Sequence, residues 1–197
     1  MTRHKSTWIT FFAPVAVAIV LLALGGDAAR EALRYERLQM LPWRLVGAHL
    51  VHLSWSHLAL NLAGLVMIGV IFSFRVTATF WWLCFALALA CIDVGLFRFS
   101  ADIEWYVGLS GVLHGLFVLG AFAEWQQGQK TGIYLLLGVA AKLGVEQWAG
   151  ALPMTASAAG GPVVVDAHLY GALGGLIACG LMRAFSRSRP AGDGESQ

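Results

Sequence analysis

Six apolar stretches follow one another along this chain, with only short polar clusters between them. They run from about Trp8 to Leu24, Leu50 to Phe72, Ala78 to Phe97, Tyr106 to Ala123, Thr131 to Trp148 and Val163 to Ala184. A helix that crosses a bilayer needs about 17–25 predominantly apolar residues. Within lipid the backbone must satisfy its own hydrogen bonds, so stretches of this length without strand alternation are expected to be helices. The expectation is an all-α membrane protein, a single six-transmembrane-helix bundle over residues 1–185. Composition agrees: of 197 residues, 58% are hydrophobic and 12% charged, about half the charged share of an ordinary soluble domain. A second domain has no sequence left to occupy. The net charge of +2 is small and dispersed, which excludes nucleic acid and leaves the lipid bilayer as the partner.

Lysine and arginine placement sets the expected orientation. With the N-terminus inside, Arg3, Lys5, Arg75, Lys130, Arg183, Arg187 and Arg189 fall on the cytoplasmic side; Arg30, Arg34, Arg37, Arg44 and Arg98 fall on the other. Four of the latter lie between Gly25 and Arg44, where Asp27, Glu31 and Glu36 offset them. That segment, 25–44, reads as an interfacial loop with an amphipathic helix over Ala28–Leu38. Arg3 and Lys5 before an apolar stretch, with Ala28-Ala29 after it, also fit a cleaved signal peptide, but six spans account better for the charge map. Residues 186–197 read as a polar, disordered cytoplasmic tail. Cys84, Cys91 and Cys179 all fall inside apolar runs and read as buried free thiols, neither a disulfide framework nor a zinc site.

Polar side chains at membrane depth are costly, so they mark candidate chemistry. One cluster, Gly108-Leu-Ser110-Gly111-Val-Leu-His114-Gly115, opens the fourth stretch. A helix beginning near Ser110 would aim its free N–H groups and the positive end of its dipole at an oxyanion formed beside the hydroxyl. A second cluster, Asp166-Ala-His168-Leu-Tyr-Gly171-Ala-Leu-Gly174-Gly175, lies on the sixth. Gly171 and Gly175 share a face with His168, and Gly108, Gly111 and Gly115 give the fourth stretch a matching face for close approach. If those faces meet, Ser110 and His168 come within hydrogen-bond range, and histidine is the natural base for a serine nucleophile. A third cluster leads into the second stretch: His49, His52, His57 and Asn61. His57 and Asn61 are four apart and project from one face, two donors fit to hold an oxyanion, while His49 and His52 are expected nearer the outer surface.

Taken in order, Trp43-Arg44, His52-x-x-x-x-His57-x-x-x-Asn61, Gly108-x-Ser110-Gly111 and Ala167-His168-x-x-Gly171-x-x-x-Gly175 resemble the signature of rhomboid intramembrane serine proteases. The resemblance covers nearly everything from Arg44 onward. It implies a six-helix bundle with a water-filled cavity open to the outer face. Ser110 and His168 would be the catalytic dyad, and His57, Asn61 and the Ser110 N–H the oxyanion hole. His52 would be a supporting histidine near the cavity mouth. It further implies a bacterial inner-membrane location, membrane-anchored protein substrates, no cofactor and no metal. Four residues past the serine, where many rhomboids carry an aromatic, this chain has His114. Ser-Gly-x-x-His-Gly in a short chain is similar to the rhombosortase branch, which implies substrates whose C-terminal anchor is a Gly-Gly motif, a hydrophobic helix and a basic end. His114 is then a supporting residue against His168, or a core histidine.

Other polar residues leave alternatives open. Lys142 and Glu146, four apart, read first as an internal ion pair and second as a substrate gate near the outer end of the fifth stretch. Asp93 reads as bonding a neighbouring helix. The uncharged segment from Gly150 to Pro162 is a lid or a plain connection. Paired histidines could also bind haem, though here they come with serine and asparagine. A rhomboid with other transmembrane substrates, or a non-catalytic rhomboid-like binder, are the competing functions.

Overall fold

The computed structural model describes residues 6–187. Arg3, Lys5, Arg189 and most of the expected polar tail lie outside them. A π-helical turn, α1 (Trp8–Phe12), runs directly into α2 (Ala13–Leu24), and the chain then bends by 113° into α3 (Gly26–Leu33). There follow β1 (Tyr35–Glu36), α4 (Pro42–Gly47), α5 (Trp55–Phe72), α6 (Ala78–Phe99), β2 (Trp105–Tyr106), α7 (Ser110–Gln126), α8 (Thr131–Ala149), α9 (Pro153–Ala159) and α10 (Val165–Arg187).

Each of the six apolar stretches is helical, with α1 and α2 together making the first. Among the described residues three helices, α5, α6 and α10, are long and apolar enough to cross a membrane, or four if the bent Trp8–Leu24 and Gly26–Leu33 pair is one span. The expected six is not reached on that measure. α7 has only 17 residues and opens with Ser110, and α8 carries Lys142, Glu146 and Gln147, so the polar groups themselves lower the apolar signal. Large apolar side chains such as Leu21, Val70, Leu137 and Leu176 face outward, the surface of a protein solvated by lipid.

Helix α10 lies against both α6 and α7. Glycines let the backbones meet: a Cβ on Gly111 would sit 2.6 Å from the Ala167 carbonyl oxygen, one on Gly115 2.5 Å from that of Gly171, and one on Gly174 2.6 Å from the Ala88 Cα. Such crossings suit lipid, where association rests on contact and not on water release. Phe11, Phe12, Trp81 and Phe85 knit the first helical segment to α6.

The described residues are predominantly helical, as expected of an all-α membrane protein, with one short departure. Tyr35 pairs with Tyr106 and Glu36 with Trp105 in a two-stranded antiparallel ribbon. The expected amphipathic helix over Ala28–Leu38 therefore stops at Leu33. Past it, charge pairing governs: Glu36 accepts from Arg34 Nε at 2.9 Å and also from Arg44. Those two guanidiniums, Arg44 foremost, hold the Glu36 carboxyl below its ordinary value. Arg37 reaches across to the end of α6 and donates to the carbonyls of Leu96 and Phe97, both at 2.8 Å, satisfying acceptors a helix end leaves open. Of the three free cysteines, Cys84 and Cys179 are buried, while Cys91 is only partly so.

Candidate active site

Two helix starts aim the polar groups. Ser54 caps α5, its Oγ accepting from the His57 backbone N–H at 3.1 Å, as serine does at a helix entrance. His57 thus lies in the first turn and Asn61 one turn on. The start of α7 is set by backbone geometry. Leaving β2, the chain passes through Gly108 at φ +122°, a conformation side chains disfavour. The Gly108 N–H donates to the Ala48 carbonyl at 2.8 Å and its carbonyl accepts from the Tyr106 hydroxyl. Helix α7 then begins at Ser110 itself, four residues later than the apolar stretch indicated, because β-pairing claims Tyr106. Gly108 also leaves the expected helix-contact row: a Cβ there would sit 2.6 Å from His57 Cε1 and 2.9 Å from Nε2. The His57 imidazole fills the space of the missing side chain, two residues ahead of Ser110. Leu53 N–H lies 3.4 Å from His57 Nδ1, which leaves Nε2 as the ring's N–H donor.

The close crossing of α7 and α10 brings Ser110 Oγ to 3.0 Å from His168 Nε2. The other side of that ring meets a carboxylate: Glu146 Oε2 lies 2.9 Å from His168 Nδ1. Glu146, with its side chain wholly buried, pairs with Lys142 Nζ at 2.7 Å. Lys142 also lies 3.0 Å from His114 Nε2, and His114 Nδ1 lies 2.7 Å from the Ser110 carbonyl oxygen. Ser110, His168, Glu146, Lys142 and His114 therefore form a closed ring of polar contacts. The two imidazoles stack, with centroids 4.3 Å apart and planes inclined by 19°.

With Lys142 charged and Glu146 ionised, a single proton arrangement satisfies every contact. An ammonium only donates, so His114 Nε2 accepts, and its Nδ1–H donates to the Ser110 carbonyl. A carboxylate only accepts, so His168 Nδ1 donates, and its Nε2 is left to accept from the Ser110 hydroxyl. A carboxylate thus stands behind His168, a third polar group beside the expected pair of Ser110 and His168. The sequence signal was present in Glu146, but its spacing of four from Lys142 reads as a pair complete within one helix. His114, Glu146 and His168 could also converge on a metal ion, their ligand atoms lying within 4.8 Å of one another. In the arrangement above, the Nε2 lone pairs of His114 and His168 face Lys142 Nζ and the Ser110 hydroxyl. The stacked rings of His114 and His168 are too close to flank a haem from opposite sides.

Ser110 and His57 line a cavity of about 360 Å³ whose walls include Trp105, Ala159, Pro162 and Asp166. The segment from Gly150 to Pro162 carries α9 and contributes part of that wall; Ser54 Oγ donates to the Ala159 carbonyl at 2.9 Å, tying it to the start of α5. Asn61, one turn beyond His57, is buried, its amide donating to the His57 carbonyl at 3.0 Å. His52 and His49 are both buried. His52 stands edge-on to the His57 ring at 5.1 Å, and His49 Nε2 lies 3.2 Å from Asp93 Oδ1, joining the segment before α5 to α6. A separate, mostly apolar groove of about 380 Å³ runs between α5 and α8 over α7; Lys142, His114 and Tyr134 bring polar atoms to its lining.

A family model described as the Rhomboid domain matches residues 40–185. No match is found among curated proteins.

Proposed function

Because the chain belongs to the rhomboid family, whose members act on membrane proteins within the bilayer, we propose that it is an intramembrane serine endopeptidase with Ser110 as nucleophile and His168 as base. The observation that carries this reading is the 3.0 Å contact between Ser110 Oγ and His168 Nε2 on the wall of a cavity. In the proposed step the Ser110 hydroxyl gives its proton to Nε2 while Oγ bonds to the scissile carbonyl carbon. The carbonyl electrons move to oxygen, and that oxyanion is met by the Ser110 N–H at the start of α7, by His57 Nε2–H and by the Asn61 amide. His168 then returns the proton to the leaving nitrogen as the C–N bond breaks. Water repeats the sequence on the resulting ester and frees the serine.

The substrates are membrane-anchored proteins cut near a C-terminal anchor of Gly-Gly, hydrophobic helix and basic end. His114 at the fourth position past the serine supports this rhombosortase-type assignment. The groove between α5 and α8, with Lys142 on its lining and Glu146 behind it, is the entry for the anchor helix. The chain spans a bacterial inner membrane six times, with the cavity facing the periplasm. Supporting this orientation, Arg75, Arg183 and Arg187 share one end, while the arginines near the cavity are neutralised by Asp27, Glu31 and Glu36.

The test is labelling of the purified protein with a fluorophosphonate, together with cleavage of a transmembrane peptide carrying Gly-Gly before its hydrophobic segment. Ser110→Ala is expected to abolish both and leave thermal stability nearly unchanged, since a small hydroxyl contributes little packing. Cleavage by Ser110→Ala at the wild-type rate overturns the assignment.

A further inference from the structure

The proton arrangement around His168 has a use beyond holding the helices together. We infer that Glu146 is a positioning residue for the proposed base, making the site a serine–histidine–carboxylate system in which Lys142 supplies the counter-charge and His114 a stacked, non-competing neighbour. The inference rests on the serine-protease reading above.

The geometry assigns each part. An imidazole can take a proton from Ser110 only if its Nε2 carries a lone pair, which requires the proton on Nδ1. Glu146 Oε2, 2.9 Å from Nδ1, holds it there. The same oxygen faces the positive charge that appears when His168 takes the serine proton. Carboxylates that orient a catalytic imidazole work through this tautomer and this charge.

A buried, ionised carboxylate at membrane depth is costly unless it is paired. Lys142, 2.7 Å from Glu146 and on the same helix, pairs it. The charges then balance at both ends of the step: lysine and glutamate cancel before attack, and imidazolium and oxyanion are added together. Nothing in the ring must be neutralised by water, which suits a site walled by apolar helices.

His114 lies face to face with His168 and could in principle compete for the proton. The ammonium of Lys142 at 3.0 Å occupies its Nε2 lone pair, and its Nδ1–H is committed to the Ser110 carbonyl at 2.7 Å. Both nitrogens are spoken for, so only one imidazolium forms in the stack. The bond to the Ser110 carbonyl also anchors the first turn of α7, on which the nucleophile sits. One lysine thereby serves both the carboxylate and the second imidazole.

The decisive variant is Glu146→Gln, which keeps the shape and removes the charge. Its amide can donate to Nδ1, favouring the tautomer whose Nε2–H faces the serine. Turnover on the Gly-Gly transmembrane peptide and the rate of fluorophosphonate labelling are expected to fall by about 10²–10⁴, with KM and melting temperature little changed. The far-downfield proton resonance of an imidazole N–H bound to carboxylate is expected in the wild-type protein, and absent in both Glu146→Gln and His168→Ala. Lys142→Met/Glu146→Gln, which removes both charges together, should be as slow and decides the matter if the single variant does not fold. Turnover within a few fold of wild type in the folded variant, or a loss confined to KM or stability, overturns the inference. Ser110→Ala is run in parallel. A dead Ser110→Ala beside a fully active Glu146→Gln rejects the role of Glu146 alone, whereas an active Ser110→Ala rejects the protease reading itself.

Discussion

Replacing Gly111 by alanine tests whether the spacing of two helices sets the chemistry. Gly111 follows Ser110, and the backbone it faces, Ala167, precedes His168. The new methyl would lie 2.6 Å from the Ala167 carbonyl oxygen and 2.8 Å from Ile92 Cδ1. The isoleucine end can rotate away, but the carbonyl belongs to the α10 backbone and cannot. Ordinary contact begins near 3.4 Å, so α7 and α10 must part locally by about 0.8 Å, an overpacking that costs about 1–3 kcal/mol. Added to the present 3.0 Å between Ser110 Oγ and His168 Nε2, that displacement carries the pair past hydrogen-bond reach. Misplacement of about 1 Å at reacting groups costs on the order of 10²-fold in rate. Gly111→Ala should therefore melt lower and cleave the Gly-Gly transmembrane peptide about a hundredfold more slowly. Gly180→Ala on α10, where a Cβ meets nothing within 4 Å, should match wild type in both measurements. A Gly111→Ala protein with wild-type kcat would refute the link between the glycine crossing and the serine–histidine contact.

His114→Ala should lower turnover at least ten-fold, a barrier increase of about 1.4 kcal/mol or more, because the stack on His168 and the bond to the Ser110 carbonyl are both lost. His114→Tyr restores a stacked face without the two ring-nitrogen contacts and should recover part of that loss; an unchanged rate in folded His114→Ala reduces the residue to core packing. Glu36→Gln addresses the ribbon outside the helices. The carboxyl is held below its ordinary value by Arg44 and Arg34, so its stabilisation is present above the unfolded-state value and lost as pH falls through the folded one. The gap in melting temperature between wild type and Glu36→Gln should be widest at neutral pH and close on acidification; a gap independent of pH contradicts this origin.

What could be read from the sequence was what lies within one helix. Apolar length located the helices, and glycine spacing marked Gly111, Gly115, Gly171 and Gly175 as contact faces that set Ser110 opposite His168. Contacts that depend on how a helix is rotated were not legible. Glu146 has a partner four residues away in Lys142, and nothing in that spacing says that its second oxygen turns to α10. Gly108 sat in register with the contact glycines, but its φ of +122° serves the turn out of β2 and makes room for His57. The strands Tyr35–Glu36 and Trp105–Tyr106 are two residues each, too short for alternation to register. Ribbon pairing therefore displaced the expected end of the amphipathic helix and kept Tyr106, the first residue of the fourth apolar stretch, out of α7.

On the proposed reading, the groove between α5 and α8 determines how an anchor helix is selected. Its walls are apolar, and outside it lie acyl chains of the same character, so an incoming helix exchanges one hydrocarbon neighbour for another and gains nothing from leaving water. Occupancy is then a contest with lipid, scaled by the mole fraction of substrate in the bilayer and not by its concentration in the cell. A chain that competes on those terms must be told apart by its small residues, its breaks in helix and its ends. Bilayer composition, by changing what fills the groove at rest, becomes a determinant of rate in its own right.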